Sequence, residues 1–190
     1  MKDIIHNMST IDNIDKNSPL KIRVAMLTDF NEVAAMFKNA ITNMNNNGLY
    51  QWDDTYPDEN LIRSDIENGE MYLSIVNDRI VASATVNQMQ EPEFETGDWK
   101  YHCSLYAVIH RMCVDPGASN RGIGARTILA IEGMMKDKGF ESIRLDTYSQ
   151  NPIAIRLYEK LNYDRVGCIR YDYIKNNRVR DVFYLFEKKL

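Results

Sequence analysis

The sequence predicts a single α/β domain of three layers, and three observations predict it. Its 190 residues suit one sizeable core. Strand-like and helix-like stretches follow each other as βαα, then βββ, then αβαβ with one more strand, the mixed order of an α/β fold. Neither an internal repeat nor a Pro/Gly-rich linker interrupts that order. Roughly the first 18 residues, rich in Asn and Asp, read as a loose arm, which leaves 19–190 as the domain.

Each element has a local reason. "KIRVAML" is apolar enough for a first strand, and in "TDFNEVAAMFKNAITNM" Asp29 with Glu32 has the spacing of a capping box. Phe30, Val33, Phe37 and Ile41 then recur at helical spacing. A polar and aromatic loop, "NNNGLYQWDDTYPDEN", leads to a shorter helix, "ENLIRSDIEN", that Gly69 is placed to end. "MYLSIV" and "RIVASATV" flank Asn77-Asp78, a hairpin signal because both residues tolerate positive φ. The acidic loop "NQMQEPEFETGDWKYH" precedes the strand "LYAVIHRMCV". A helix from about Ala125 to Lys138 shows Ile128, Ile131 and Met135 on one stripe, with Gly139 at its end. The strand "SIRLDTY", the helix "PIAIRLYEKL", the strand "DRVGCIRYDYI", a turn at "KNNR" and the strand "VRDVFYLFEKKL" complete the chain.

Composition excludes several classes. Hydrophobic residues at 44% and charged residues at 26% match a soluble globular protein. A net charge of -4 argues against a general nucleic-acid binder, though it leaves room for a local anion site. No apolar run approaches the ~18 residues of a membrane span, and the N-terminus lacks a signal-peptide pattern. The three cysteines, Cys103, Cys113 and Cys168, form no CxxC pair and have no zinc spacing. A reduced, cytoplasmic protein without a metal is the expectation.

The chemistry centres on "VDPGASNRGIGARTI". Two of the nine glycines, Gly122 and Gly124, stand where a strand turns into a helix. The start of a helix carries unpaired N–H groups and partial positive charge, and glycine lets a ligand approach them without a Cβ in the way. Taken alone, the loop reads equally as a plain turn or as a phosphate cradle. It is not a Rossmann fingerprint, because Thr127 occupies the third-glycine position, and it lacks the Gly-Lys-Ser/Thr of a Walker loop. Downstream, Asn151-Pro152 is a strong helix start. Ala154, Leu157, Tyr158 and Leu161 share its inward stripe, so the Tyr158 hydroxyl needs a partner, and Asn162 can end the helix.

Together these stretches resemble the GNAT superfamily of N-acetyltransferases over about Leu20 to Leu190. "VDP…NRGIGA" is similar to its acetyl-CoA pyrophosphate loop, commonly Arg/Gln-x-x-Gly-x-Gly/Ala. "NPIAIRLYEKLNY" is similar to its later motif Asn-x-x-Ala-x-x-Leu-Tyr-x-Lys-x-Gly-Phe/Tyr. The resemblance implies a mixed central sheet of six to seven strands with a splayed parallel pair, "IHRMCV" and "SIRLDTY". It also implies a cofactor, acetyl-CoA, along backbone groups of Met112, Cys113 and Val114. Its pyrophosphate would sit on the loop from Ser119 and Asn120 through Arg121, Gly122, Ile123 and Gly124 to Ala125. Asn151 would hold the cofactor arm, and Tyr158 would face the sulfur. Ser119 replaces the usual Arg or Gln, Asn120 a frequent Gly, and Asn162 the usual glycine.

The implied reaction moves an acetyl group to a primary amine, on a small molecule or a peptide. Such an amine has a pKa near ~10.4 and must lose a proton to attack. Valine, where the family often has a glutamate, cannot serve at Val108. His110 lies on the same strand face, with an ordinary pKa near ~6.5. A buried structural histidine and a water chain remain alternatives. A backbone N–H at Met112 or Cys113 would stabilise the developing oxyanion. Trp52, Tyr56, Phe94 and Trp99 are candidates for lining the acceptor slot, with Asp53, Asp54, Glu91 or Glu93 drawing a cationic amine; core and surface roles compete with that reading. Cys113 reads as a small buried residue. A CoA-binding module without turnover is the alternative function, and a homodimer stays open because the final strands offer an edge.

Overall fold

A computed structural model of the chain describes residues 14–15, 17–171 and 181–190. Among the described residues it contains seven strands and four α-helices. These are β1 (Lys21–Val24), α1 (Phe30–Asn46), α2 (Glu59–Glu67), β2 (Met71–Val76), β3 (Arg79–Asn87) and β4 (Tyr106–Val114). The order continues with α3 (Ile123–Asp137), β5 (Ser142–Tyr148), α4 (Pro152–Lys160), β6 (Asp164–Tyr171) and β7 (Asp181–Lys189). The sheet is mixed, with strand order β1-β2-β3-β4-β5-β7-β6. Its one parallel pair among the registers described is β4 with β5, from Tyr106↔Ser142 to Ile109↔Leu145. The expected α/β class and element order therefore hold. The "KNNR" turn lies outside the described residues, as does His6. No helix among the described residues is long and apolar enough to cross a membrane.

The chain divides into two compact units, Met1–Thr85 with Arg111–Ile128, and Val86–His110 with Leu129–Leu190. In the first, β1 pairs with β2 and β2 with β3, all antiparallel. The β2–β3 hairpin turns on Asn77 and Asp78 at φ 50° and 58°, the left-handed pair that matches strand twist. The helical stripe Phe30, Val33, Phe37 is buried with Trp52, Ile62, Ile66, Met71 and Leu73. Each such side chain, fully removed from water, stabilises the fold by about 2 kcal/mol. A second cluster joins Ile14, Val76, Val81, Ala82, Ala118 and Ile123. Ile14 is thus a core residue, although it falls in the stretch read as a loose arm.

The start of α1 differs from its sequence expectation. Asp29 does precede the helix, but its side chain makes no cap bond to it. The carboxylate instead takes both ends of the Arg23 guanidinium, at 2.7 and 2.8 Å, and the N–H of Met26 at 2.8 Å. A bidentate guanidinium outcompetes a single amide for a carboxylate. That bond to Arg23 holds the Asp29 carboxyl below its ordinary range. A depressed carboxyl contributes stability that is complete above its unfolded value, about 3.9, and is lost as pH falls through the folded value. Asp29→Asn should therefore lower Tm at pH 7 and converge on the wild type by pH 2.5, checked by melting curves across that range. Equal melting at pH 7 would contradict it.

In the second unit β5 pairs with β7 and β6 with β7, both antiparallel. Phe94, Val108, Val166, Ile169 and Leu185 form its buried cluster. Asn151 caps α4 by accepting the N–H of Ala154 at 3.0 Å, with Pro152 at the first helical position. Asn162 ends the helix at φ 62°, as a residue that tolerates the left-handed region should.

Candidate active site

The loop between β4 and α3 is built by local bonds and one tie to β3. Asp115 accepts the N–H of Gly117 at 2.9 Å and its own N–H reaches Val81 O at 2.9 Å, anchoring the Pro116–Ala118 turn. Asn120 at φ 62° and Gly122 at φ 73° then swing the backbone through two left-handed steps into α3. Gly122 has open space around it: a Cβ there would meet nothing within 4 Å. The N–H groups from Asn120 to Ala125 find no protein acceptor among the described residues. The first helical turn leaves such donors unpaired by geometry, and they present positive partial charge. Ser119, Asn120 and Gly122 are exposed, Ile123 is buried, and Arg121, Gly124 and Ala125 lie between.

The two arginines near this turn are tied to the chain's beginning. Arg121 donates to the Ile14 carbonyl and Arg126 to the Ser18 carbonyl. A second terminal nitrogen of Arg126, Nη1, is buried without a partner among the described residues. Sequence reading passed over Arg126, although a cation in the first turn of a candidate phosphate-binding helix is a usable signal. Thr127 also gains a reason: its hydroxyl meets the Ser74 hydroxyl at 2.8 Å, both fully buried, so a side-chain oxygen is needed where a Rossmann loop has glycine.

β4 does not alternate simply. Arg111 has φ 47°, a left-handed step inside a strand, so the single face expected for Tyr106, Val108, His110 and Met112 is broken after His110. Beyond the step, Cys113 packs into the cluster under α1 and α2, while Met112 and Val114 pack with Ile14, Ala118 and Ile123. Burial pushes the Cys113 thiol far up, with the Asp115 charge adding to it, so no thiolate nucleophile forms near neutral pH.

In the second unit, His110 Nε2 stands 3.0 Å from Asn87 Oδ1 and 3.1 Å from Met89 O. A carbonyl only accepts, so Nε2 carries the hydrogen in these contacts. Tyr158 is buried against Tyr163 (5.9 Å, edge-on) and Phe186 (5.6 Å). Burial, and then the Asp146 charge, raise its phenol well above the ordinary value, so it keeps its proton.

The acidic loop borders an open cavity of about 560 Å³ in the same unit, lined by Gln88, Gln90, Glu91, Phe94, Glu95, Trp99, Tyr106 and Arg144 among others. Its wall is the Arg144 guanidinium sandwiched between the Trp99 and Tyr106 rings, at 4.3 and 4.2 Å. Arg144 donates to Glu187 at 3.1 Å, Gln90 at 3.2 Å and the Tyr101 carbonyl at 3.0 Å. Glu187 accepts in turn from Lys100 N and Tyr101 N, so this buried pair is neutral and well bonded. Of the residues proposed for the acceptor, Trp99, Phe94 and Glu91 meet here and Glu95 joins them. Trp52, in the first unit, is a core residue tilted on Phe37 at 5.6 Å. Tyr56 hydrogen-bonds Arg111, and Asp53 bonds Thr55 in its own turn. Among the described residues no cluster of His, Cys, Asp or Glu could hold a metal.

Comparison with known proteins agrees with this architecture. A model of the acetyltransferase (GNAT) family matches residues 36–163. A GNAT-family acetyltransferase from Streptococcus agalactiae superposes with a TM-score of 0.74 at 21% identity, covering 90% of this chain and 95% of that one. The ribosomal-protein-S18-alanine N-acetyltransferase of Escherichia coli gives 0.65 at 17% identity, covering 90% and 94%. The Salmonella typhimurium protein yncA, solved with its cofactor acetyl-CoA, gives 0.66 at 16% identity, covering 90% and 94%. No curated protein matches the sequence. With the family model spanning most of its length, the chain belongs to the GNAT acetyltransferase family.

Proposed function

We propose that the protein transfers an acetyl group from acetyl-CoA to a primary amine by direct attack, with both substrates bound at once. The observation that carries this reading is the row of open N–H groups from Asn120 to Ala125 at the start of α3. These donors fit a diphosphate, which needs several hydrogen bonds and positive potential together. Acetyl-CoA supplies the activated acyl group. Backbone groups of Met112, Cys113 and Val114 bind its arm, Asn151 supports it, and an N–H at Met112 or Cys113 donates to the acyl oxygen as that oxygen gains charge.

His110 takes the proton that the attacking amine must lose, directly or through water. As the new N–C bond forms and the C–S bond breaks, Tyr158 donates its hydrogen to the departing sulfur. The acceptor's body lies in the cavity walled by Trp99 and Tyr106, where Arg144 is already neutralised and the carboxylates of Glu91 and Glu95 favour a cation. One observation favours the second reading, a module that binds CoA without turnover. Ser119 is short where the family has a long donor, and Arg121 and Arg126 are engaged by main-chain carbonyls.

Calorimetry with acetyl-CoA, using ATP and NAD as controls, tests the site. Micromolar binding selective for acetyl-CoA is the expected result, and an amine panel then separates an enzyme from a silent binder. Absence of binding at millimolar ligand would overturn the reading.

A further inference from the structure

Arg111 presents an unexplained combination. It is neither glycine nor asparagine, yet it holds φ 47° in the middle of β4, a region that a long L side chain seldom enters and that other contacts must enforce. Its side chain is nearly buried and reaches α2. There Nε donates to Asp65 Oδ2 at 2.8 Å and Nη2 to Asp65 Oδ1 at 2.8 Å, a two-pronged pair. The Thr85 hydroxyl donates to Asp65 Oδ2 at 2.7 Å, and Tyr56 hydrogen-bonds the guanidinium. Asp65 is among the few buried charged residues of the chain. A planar fork on a fixed carboxylate defines the direction of the side chain, and so constrains the backbone that carries it.

We propose that Arg111 and Asp65 are positioning residues: their ion pair holds the left-handed step of β4, and that step sets the direction of the N–H groups of Met112 and Cys113. This rests on the proposed function, in which one of those N–H groups polarises the acyl oxygen. The donor geometry for a developing charge must be fixed in advance, because a donor that has to reorient loses most of its advantage. A loop conformation with a strained residue would relax without an anchor, and the pair supplies that anchor from α2.

The test exploits glycine. Cutting Arg111 alone would strand a buried carboxylate, so Asp65→Asn is the common background. Onto it are placed Arg111→Gly and Arg111→Ala. Glycine enters φ 47° freely while alanine resists it, so an anchor role predicts that the glycine variant keeps more activity than the alanine variant, on the order of 10-fold in kcat. A pair serving stability alone predicts equal per-site kcat in the two variants, whatever their melting temperatures. Per-site kcat is taken from the fraction that binds acetyl-CoA. The second readout is infrared: the carbonyl stretch of bound acetyl-CoA labelled with carbon-13 should lie below its solution value in the wild type. It should return toward that value in the alanine double variant, with acetyl-CoA affinity unchanged.

Equal kcat and equal carbonyl frequency in the two double variants and the wild type would overturn the proposal. If the wild type binds acetyl-CoA with a lowered carbonyl frequency, that outcome leaves the proposed function standing and removes only the anchor. A wild type that does not bind acetyl-CoA removes both.

Discussion

Tyr158→Phe should reduce kcat on the order of 100-fold while leaving acetyl-CoA affinity and Tm close to those of the wild type. The ring is what packs on Tyr163 and Phe186, and phenylalanine keeps it. Only the hydroxyl is removed, and in the proposed reaction that group matters as sulfur leaves rather than as cofactor binds. A loss confined to kcat is the mark of an interaction made in the transition state. Burial and the Asp146 charge raise the phenol's pKa, so its protonated form persists past pH 10, the ordinary tyrosine value. The kcat profile should accordingly rise as the amine loses its proton and show no falling limb from this residue near pH 10. Steady-state rates of both proteins from pH 6 to 10, with calorimetry of acetyl-CoA, check the whole claim. An unchanged kcat in the phenylalanine variant would remove Tyr158 from the chemistry.

Gly122→Val is expected to weaken acetyl-CoA binding by about 10- to 30-fold, the equivalent of roughly 1.4–2 kcal/mol. The reason is conformational. A Cβ at this position meets no atom within 4 Å, so no clash contributes, but φ 73° lies where a β-branched residue is an outlier. A left-handed L-residue costs about 1–2 kcal/mol, and the loop can escape that cost by abandoning the left-handed step. Doing so would scatter the N–H groups from Asn120 to Ala125. Gly122→Asn is the control, because asparagine tolerates positive φ and already occupies Asn120 at 62°. Calorimetry should rank the wild type and the asparagine variant together, with valine well below. Valine binding as tightly as glycine would mean that the loop's N–H groups do not hold the phosphates.

Features with local causes were legible in the sequence. Asn77-Asp78, Asn120, Gly122, Gly139 and Asn162 all sit at positive φ where turns or helix ends were expected. The stripe of Ile128, Ile131 and Met135 is buried, and the Asn151-Pro152 start of α4 is in place. What could not be read depends on partners far apart in the chain. Nothing near Arg111 announces a left-handed step, because the cause is Asp65 on another element. Arg144 looks like a surface residue of a strand until Trp99, Tyr106 and Glu187 are brought around it. Asp29 fitted a helix cap by spacing, yet Arg23 took its carboxylate. The candidate site divides the same way: the candidate phosphate loop and Tyr158 follow from motifs, whereas the cavity proposed for the acceptor is a product of folding.

The neutral pair beneath that cavity has an electrical consequence. Because Arg144 and Glu187 cancel, the field at the opening is left to Glu91 and Glu95, both exposed and both negative. Exposed charges act over about a Debye length, roughly 10 Å at 0.1 M salt and about 3 Å at 1 M. Cations are therefore gathered at this opening in dilute buffer and released to the bulk in brine, while the stacked guanidinium, shielded by two rings, is indifferent to the change.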